Sequence, residues 1–275
     1  MVKSKFFTAA RIDDRTTLIT GLGGENCYLL EGDERALLID GLTGVGSLKA
    51  FVRELTDLPI TMLATHGHVD HCGAAFEYGA CLIHPDDIAL MYEHGDEQLR
   101  FGAVPHEANG ARFDINDVIP LRPVRTLPLY DGDVVDLGGR FIEAITVTGH
   151  TRGTVVLLDR DMRALFSGDA CNNNTLVLGG ISSATVEEYH ASLKRLATFI
   201  PAFDKMLGGH GSEPVPPEII NEGIELTRKV IDRTDEKIAG EFIGIKCLYG
   251  AKAEMYKRTD GKIFNIAYTE ENIFL

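Results

Sequence analysis

The chain has 275 residues, enough to bury a sizeable core, and its hydrophobic fraction of 44% argues against disorder. Its 27 Lys and Arg against 41 Asp and Glu give a formal net charge of −14. That balance disfavours nucleic acid and membrane surfaces as partners, because polyphosphate surfaces are held by clustered basic side chains. Since no apolar run reaches the roughly 20 residues of a membrane-spanning helix and Met1–Arg15 lacks a continuous apolar stretch, we expect no transmembrane segment and no signal peptide.

Short apolar runs between glycine-rich turns predict strands in the first half of the chain. They are Thr17–Thr20, Cys27–Leu30, Ala36–Asp40 and Ile60–Ala64. Ser47 can cap a helix that extends to about Thr56, since Leu48, Phe51 and Leu55 recur at helical spacing.

A second block of strands is predicted at Val134–Leu137, Phe141–Val147, Thr154–Asp159, Ala164–Ser167 and Lys205–Leu207. Helices are predicted at Val186–Phe199 and from Pro216 to about Thr234, and short strands in the tail, residues 242–275. Strand-rich blocks that are each followed by helices predict an α/β fold in which two sheets pack together with helices outside. We expect one domain over residues 1–275, with residues 242–275 as a C-terminal extension.

The segment between the two blocks, residues 85–125, is less regular in pattern. A connection of that length in a compact domain is typical of a lid or a binding loop, so we predict a substrate-side insertion. A solvated acidic insertion is the alternative.

Five cysteines are scattered along the chain without a Cys-x-x-Cys pair. An odd, dispersed set predicts reduced thiols in a cytoplasmic protein, not a disulfide framework. Cys72 and Cys171 adjoin the motifs described next, and we interpret both as structural thiols.

Three of the nine histidines fall within the stretch Thr65-His66-Gly67-His68-Val69-Asp70-His71, directly after the predicted strand Ile60–Ala64. Residues two apart in an extended chain point to the same side, so His66 and His68 can share one ion. Asp70 and His71 follow where the chain turns and can face a second ion. Imidazole and carboxylate are ligands suited to zinc. The alternative is a solvated loop that is rich in histidine.

Three more potential ligands each follow a predicted strand and have glycine beside them, which allows a tight backbone turn. They are His150 in Gly149-His150-Thr151, Asp169 in Ser167-Gly168-Asp169, and His210 in Gly209-His210-Gly211. Four strand ends with the same character together indicate a metal site.

In order and spacing these motifs resemble those of the metallo-β-lactamase superfamily of metallohydrolases. The resemblance extends more weakly to Asn26–Leu30 and Leu38–Gly41, and covers roughly residues 15–215. It implies a four-layer αββα sandwich with an inserted lid-like segment and the site at one edge of the sheets. It also implies a distribution of ligands: His66, His68 and His150 for one metal, Asp70, His71 and His210 for the other, and Asp169 as the bridge.

The resemblance implies a hydrolase with two divalent ions, zinc first and iron or manganese as alternatives. A hydroxide bridging the ions would cleave a small ester, thioester, lactone or lactam. Asp70 is the predicted catalytic residue, since it can take the proton of the attacking water. Asn172 and Tyr92 are predicted substrate contacts, with His84, His94 and His106 as further candidates. The expected partner is a small molecule, and a homodimer is left open.

Two positions depart from the family pattern. Arg152 stands where proline is common, and Thr154 stands where the glyoxalase II enzymes usually carry another histidine; their basic glutathione-binding pattern is not apparent either. Three alternatives stay open: a hydrolase of phosphodiesters or phosphorylated small molecules, an iron-dependent redox enzyme with the same ligands, and a metal-binding protein without turnover. The scarcity of Lys and Arg near the motifs disfavours the first.

Overall fold

A computed structural model describes residues 1–108, 111–173, 175–180, 182–242, 244–254 and 257–275. Its backbone divides into two compact units, Met1–Glu143 and Ala144–Leu275, with the division inside the strand Phe141–Thr146. Within these described ranges, no helix has the length and apolarity needed to cross a bilayer.

The strands of the first unit, in chain order, are β1 (Val2–Lys3), β2 (Thr8–Asp13), β3 (Thr16–Thr20), β4 (Asn26–Glu31), β5 (Ala36–Ile39), β6 (Ile60–Leu63), β7 (Ala80–Ile83), β8 (Glu107–Ala108), β9 (Ala111–Arg112), β10 (Arg125–Pro128) and β11 (Val134–Asp136), and the strand β12 (Phe141–Thr146) continues into the second unit. An eight-stranded sheet has the order β1-β2-β3-β4-β5-β6-β7-β10. Its strands pair antiparallel from β1 to β5 and parallel from β5 to β10. Residues that follow β5 and β6 therefore meet at one edge of the sheet.

Four short helices accompany this sheet in the described part of the first unit: α1 (Leu48–Arg53), α2 (Ala75–Tyr78), α3 (Ile88–Glu93) and α4 (Glu97–Gly102). Ser47 caps α1 as predicted, with its hydroxyl accepting from the Ala50 N–H at 3.0 Å. The unit's core is built from apolar side chains such as Leu29, Leu38 and Phe76, which are almost fully buried.

Residues 85–125 form a packed segment, with α3, α4 and the hairpin β8–β9. The guanidinium of Arg100 is fully buried; it donates to the carbonyls of Gly95 and Ile119 and lies 5.2 Å from the centre of the Phe76 ring. Val104, Phe113 and Val118 form a small core with Val45. Buried carbonyls paired with a buried cation hold this segment in place, and its role on the substrate side stays a prediction. Asn109 and Gly110 lie outside the described residues.

The second unit contains β13 (Val155–Asp159), β14 (Ala164–Gly168), β15 (Thr175–Leu178), β16 (Lys205–Gly208), β17 (Ile238–Phe242), β18 (Ile245–Tyr249), β19 (Ala253–Glu254), β20 (Lys257–Arg258) and β21 (Asn265–Tyr268). β14 pairs antiparallel with β13 and parallel with β16. A further sheet has the order β15-β21-β18-β17, so part of the predicted C-terminal extension forms strands of a sheet. Ile243, Met255 and Tyr256 of that extension lie outside the described residues.

The two helices of the second unit, α5 (Val186–Ala197) and α6 (Ile219–Ile231), pack their apolar faces inward. α5 begins with a capping box, in which Thr185 and Glu188 each bond the other's backbone N–H. Tyr189, Leu193 and Leu196, which recur at helical spacing, form its buried face.

Candidate metal centre

The motif that follows β6 is a tight loop. The N–H groups of His71 and Cys72 both donate to the carbonyl of His68, at 3.1 and 3.2 Å. Gly67 is in close contact with α3, because a Cβ there would lie 2.7 Å from the Asp87 carbonyl oxygen. Its N–H donates to the carboxylate of Asp87 at 2.8 Å. The buried Asp87 therefore connects this loop to the segment 85–125.

The rings of His66 and His68 present their nitrogens to a common point. Nε2 of His66 and Nδ1 of His68 lie 3.1 Å apart, with the rings at 80° to each other. Two ligands of a tetrahedral zinc ion with bonds of about 2.05 Å lie about 3.3 Å apart. The spacing of these nitrogens therefore fits two ligands of one ion.

Asp40, at the end of β5, orients the ligand rings of this loop. Its Oδ1 accepts from the Thr65 N–H at 2.7 Å, and its Oδ2 accepts from the Thr65 hydroxyl at 3.0 Å and from Nδ1 of His71 at 2.8 Å. Because the Thr65 hydroxyl donates to Asp40, it accepts from Nδ1 of His66, which lies 3.1 Å away. Both fully buried histidines thus keep Nε2 as a lone-pair donor for an ion, which is the usual outer-shell arrangement of histidine ligands.

Asp70 lies next to His71, with 3.7 Å between its Oδ2 and the Nε2 of that histidine. This carboxylate is 27% exposed, whereas the His71 ring is fully buried. Solvent therefore reaches the Asp70 carboxylate more easily than the His71 ring.

In the second unit, Asp169 lies between two histidines. Its Oδ2 is 3.8 Å from Nε2 of His150 and 3.4 Å from Nε2 of His210. Nδ1 of His150 donates to the Val177 carbonyl at 3.1 Å, so the lone pair of this ring lies on Nε2. One carboxylate oxygen close to two imidazoles is the arrangement that a bridging ligand requires.

Tyr189 of α5 contacts both loops that carry these groups. Its hydroxyl donates to the Ala170 carbonyl at 2.6 Å, next to Asp169. Its ring packs against Gly149, where a Cβ would lie 2.2 Å from the ring. The residue before His150 therefore has to be glycine for the strand end to approach this helix.

The predicted substrate contacts have partners of their own. The side-chain amide of Asn172, buried to 5% exposure, donates to Oδ1 of Asp169 at 3.3 Å. The hydroxyl of Tyr92 donates to the Val124 carbonyl at 3.1 Å and accepts from the Val124 N–H at 2.9 Å. Asn172 thus contacts a predicted ligand, and Tyr92 is hydrogen-bonded to the backbone of Val124 within residues 85–125. Contact of either side chain with a substrate stays a prediction.

All five cysteines are buried free thiols. Burial raises the pKa of Cys72 well above its ordinary value, and the Cys72 thiol contacts the Gly67 carbonyl at 3.4 Å. Burial likewise raises the pKa of Cys171 to about 12. Neither thiol is activated as a nucleophile, in agreement with the structural role predicted for both.

Two further titratable groups belong to the first unit. Burial raises the pKa of Glu25, whose Oε1 accepts from the Thr43 hydroxyl at 3.1 Å. Burial also lowers the pKa of His94, which lies beside the His68 ring.

Sequence reasoning gave no role to Asp40 and did not select Asp87 or Tyr189. A signal for Asp40 was present, because an aspartate that ends a strand pairing parallel to the strand before the histidine motif meets that motif at the sheet edge. Asp87 and Tyr189 act through contacts between segments that are distant in sequence. The predicted ligands of each unit carry donors able to hold a metal ion, and their assignment to particular ions stays a prediction.

Comparisons with known proteins agree with this chemistry. A family profile described as the metallo-beta-lactamase superfamily matches residues 20–222. Acyl-coenzyme A thioesterase MBLAC2 from Gallus gallus is 29% identical over 201 residues, covering 67% of this chain and 72% of that protein. Hydroxyacylglutathione hydrolase GloC from Haemophilus influenzae is 26% identical over 197 residues, covering 68% of this chain and 86% of that protein.

A solved structure has the same fold. The metallo-β-lactamase FIM-1 from Pseudomonas aeruginosa superposes with a TM-score of 0.61 at 16% identity, covering 82% of this chain and 96% of that one. The predicted α/β fold is confirmed by this likeness and by the profile, which spans more than half of the sequence. The chain therefore belongs to the metallo-β-lactamase superfamily and is a hydrolase.

Proposed function

We propose that the chain is a dinuclear zinc hydrolase that cleaves small acyl thioesters. We assign one ion to His66, His68 and His150 and the other to Asp70, His71 and His210, with Asp169 as the shared ligand, since each of these side chains offers a nitrogen or oxygen donor. An all-nitrogen and carboxylate donor set favours zinc.

The observation that carries the metal assignment is a hydrogen-bonding pattern that three histidines share. Thr65, Asp40 and the Val177 carbonyl each engage the Nδ1 of one of them, namely His66, His71 and His150. A histidine that only fills a core has no need of this shared pattern, whereas a metal ligand needs a fixed tautomer and a fixed ring plane.

The choice of thioester among ester, thioester, lactone and lactam is supported by two relatives. One is named as an acyl-coenzyme A thioesterase and the other as a hydroxyacylglutathione hydrolase, and both names describe cleavage of a C–S acyl bond. We place acyl-coenzyme A first, because the MBLAC2 proteins of Gallus gallus and Homo sapiens are 29% and 28% identical to this chain.

Ions held by these side chains would supply a water molecule of lowered pKa and would polarise the scissile carbonyl. In this proposal Asp70 orients the attacking water through a hydrogen bond and takes its proton as oxygen adds to the acyl carbon. The C–S bond then breaks, the sulfur leaves with the proton, and the products are a carboxylic acid and a thiol. Asp40 and Thr65 hold the ligand rings still throughout.

The test combines elemental analysis of the purified protein with a substrate panel. The panel contains acyl-coenzyme A, S-acylglutathione, a simple ester, a lactone, a β-lactam and a phosphodiester. We expect two zinc ions per chain and the highest kcat/KM for a thioester. Fewer than one metal per chain under replete conditions would contradict the dinuclear site, and preference for the phosphodiester or a redox-active iron content would favour the alternatives.

Variants connect the activity to the site. His68→Ala and Asp169→Ala should each lower the metal content and abolish hydrolysis, because each removes a predicted ligand. His190→Ala on α5 is the control, since its Nδ1 bonds the Thr227 hydroxyl at 2.8 Å and touches no predicted ligand. Equal turnover in all three variants would refute the ligand assignment.

A further inference from the structure

His94 lies outside the predicted ligand set but directly beside it. The residue ends α3 in the segment 85–125, and its ring stacks on the ring of His68 with centroids 5.2 Å apart and planes at 19°. The segment thus brings a half-buried imidazole against a predicted metal ligand.

A backbone hydrogen bond fixes the tautomer of this imidazole. The Val69 N–H, in the centre of the histidine motif, donates to Nδ1 of His94 at 3.1 Å. A backbone N–H can only donate, so Nδ1 presents its lone pair and the single ring proton lies on Nε2. The two ring nitrogens therefore differ: Nδ1 is the anchor and Nε2–H is a donor.

Nε2–H remains available to a ligand. Over the ranges that the structure describes, no group accepts a hydrogen bond from Nε2–H. Nε2 is also not among the fully buried polar atoms that lack a hydrogen-bond partner. A fixed donor beside a predicted ligand, with its other nitrogen tied to the motif backbone, is pre-organised for a substrate that binds at the metal.

We propose that His94 is a substrate-contacting residue, whose Nε2–H donates a hydrogen bond to the acyl carbonyl oxygen of the thioester. This inference rests on the proposed function. The carbonyl oxygen gains negative charge as water adds to the acyl carbon, so a donor fixed in advance stabilises the transition state more than the bound substrate. Through His94, the segment 85–125 then contributes a hydrogen-bond donor to the reaction.

A purely structural His94 would only anchor the motif through Val69, and two substitutions separate these roles. In His94→Asn the side-chain oxygen reaches the position of Nδ1 and can accept the Val69 N–H, but nothing replaces Nε2–H. In His94→Gln the terminal amide reaches the position of Nε2 and can donate to a substrate.

The experiment measures kcat, KM and metal content with an acyl thioester for the wild type and both variants. We expect His94→Asn to lower kcat roughly 100-fold, as for removal of one oxyanion donor, with smaller changes in KM and metal content. His94→Gln should recover part of kcat. His190→Asn, a half-buried histidine whose Nδ1 is also hydrogen-bonded, should keep the wild-type kcat.

Wild-type kcat in His94→Asn would overturn the inference while leaving the proposed function intact. Equal losses in His94→Asn and His94→Gln together with loss of metal would make His94 structural and overturn it as well. A metal-loaded wild type that cleaves no thioester refutes the proposed function itself. Nitrogen-15 NMR of the ring supplies a readout other than turnover: a protonated Nε2 is expected, and a protonated Nδ1 would overturn the inference.

Discussion

Replacing Asp40 by asparagine tests how the ligand rings are held. The carboxylate accepts three hydrogen bonds, two at Oδ2 and one at Oδ1. Asparagine has one acceptor oxygen, so its amide N–H₂ must face either the Thr65 N–H or the donors of Thr65 and His71. Either orientation places two hydrogen-bond donors against each other at a residue that is only 2% exposed.

The size of the effect follows from these contacts. An unsatisfied buried donor costs about 1–3 kcal/mol, so the metal-free variant should be less stable by that amount. Loss of a hydrogen-bond partner of a metal ligand typically weakens metal binding about 10–100-fold, equivalent to about 1.4–2.8 kcal/mol, and should act most on the ion assigned to His71. The expected result is a larger loss of affinity for this ion than for the other, whose ligand His66 is linked to Asp40 indirectly, through the Thr65 hydroxyl.

Competition with a chelating indicator measures the two affinities, and chemical unfolding in EDTA measures the stability of the metal-free chain. Asp159→Asn is the matched control, because this fully buried aspartate accepts the N–H groups of Asp161 and Met162 at 3.1 and 2.9 Å, in a turn without a predicted ligand. It should keep both metal affinities. Unchanged metal affinity in a folded Asp40→Asn would refute the orienting role.

Three further variants test other parts of the molecule. Tyr189→Phe leaves the buried Ala170 carbonyl without its 2.6 Å donor, so it should cost about 1–3 kcal/mol in urea unfolding and weaken metal binding; unchanged values for both would contradict the positioning role. Arg100→Met leaves the Gly95 and Ile119 carbonyls unpaired, so limited proteolysis should cut within residues 85–125 faster than in the wild type; equal cleavage rates would argue against this anchor. Glu25 has a pKa raised by burial, so its contribution to stability is fully present below the pKa of the unfolded state and is lost as the pH rises through the folded pKa. Glu25→Gln should therefore reduce the fall in the free energy of unfolding between pH 5 and 8, measured in EDTA. Parallel pH profiles of the variant and the wild type would refute this role of Glu25.

The amino-acid sequence by itself determined the chemistry of the site and much of the regular structure. The ligand types, their position after strands and the adjacent glycines are local features, and they predicted a metal centre before any contact was known. The signals for the helix α5 are equally local in sequence, since its capping box and an apolar face with helical spacing lie within fourteen residues, from Thr185 to Thr198. Short elements were missed: α2 has four residues and β7 has four, too few for a periodic pattern to stand out.

Only the tertiary structure decided how the ligands are held. The parallel pairing of β5 with β6, with Ile39 opposite Leu63, brings Asp40 to Thr65 and His71, although 25 and 31 residues separate them in the chain. His94 reaches Val69 in the same way, across 25 residues and by the packing of the segment 85–125. Such contacts depend on strand register and on the path of a connection, which no local pattern encodes. The sequence therefore predicted a set of metal ligands, and the packing of distant segments determined the tautomers and orientation of these histidines and placed the His94 ring beside that of His68.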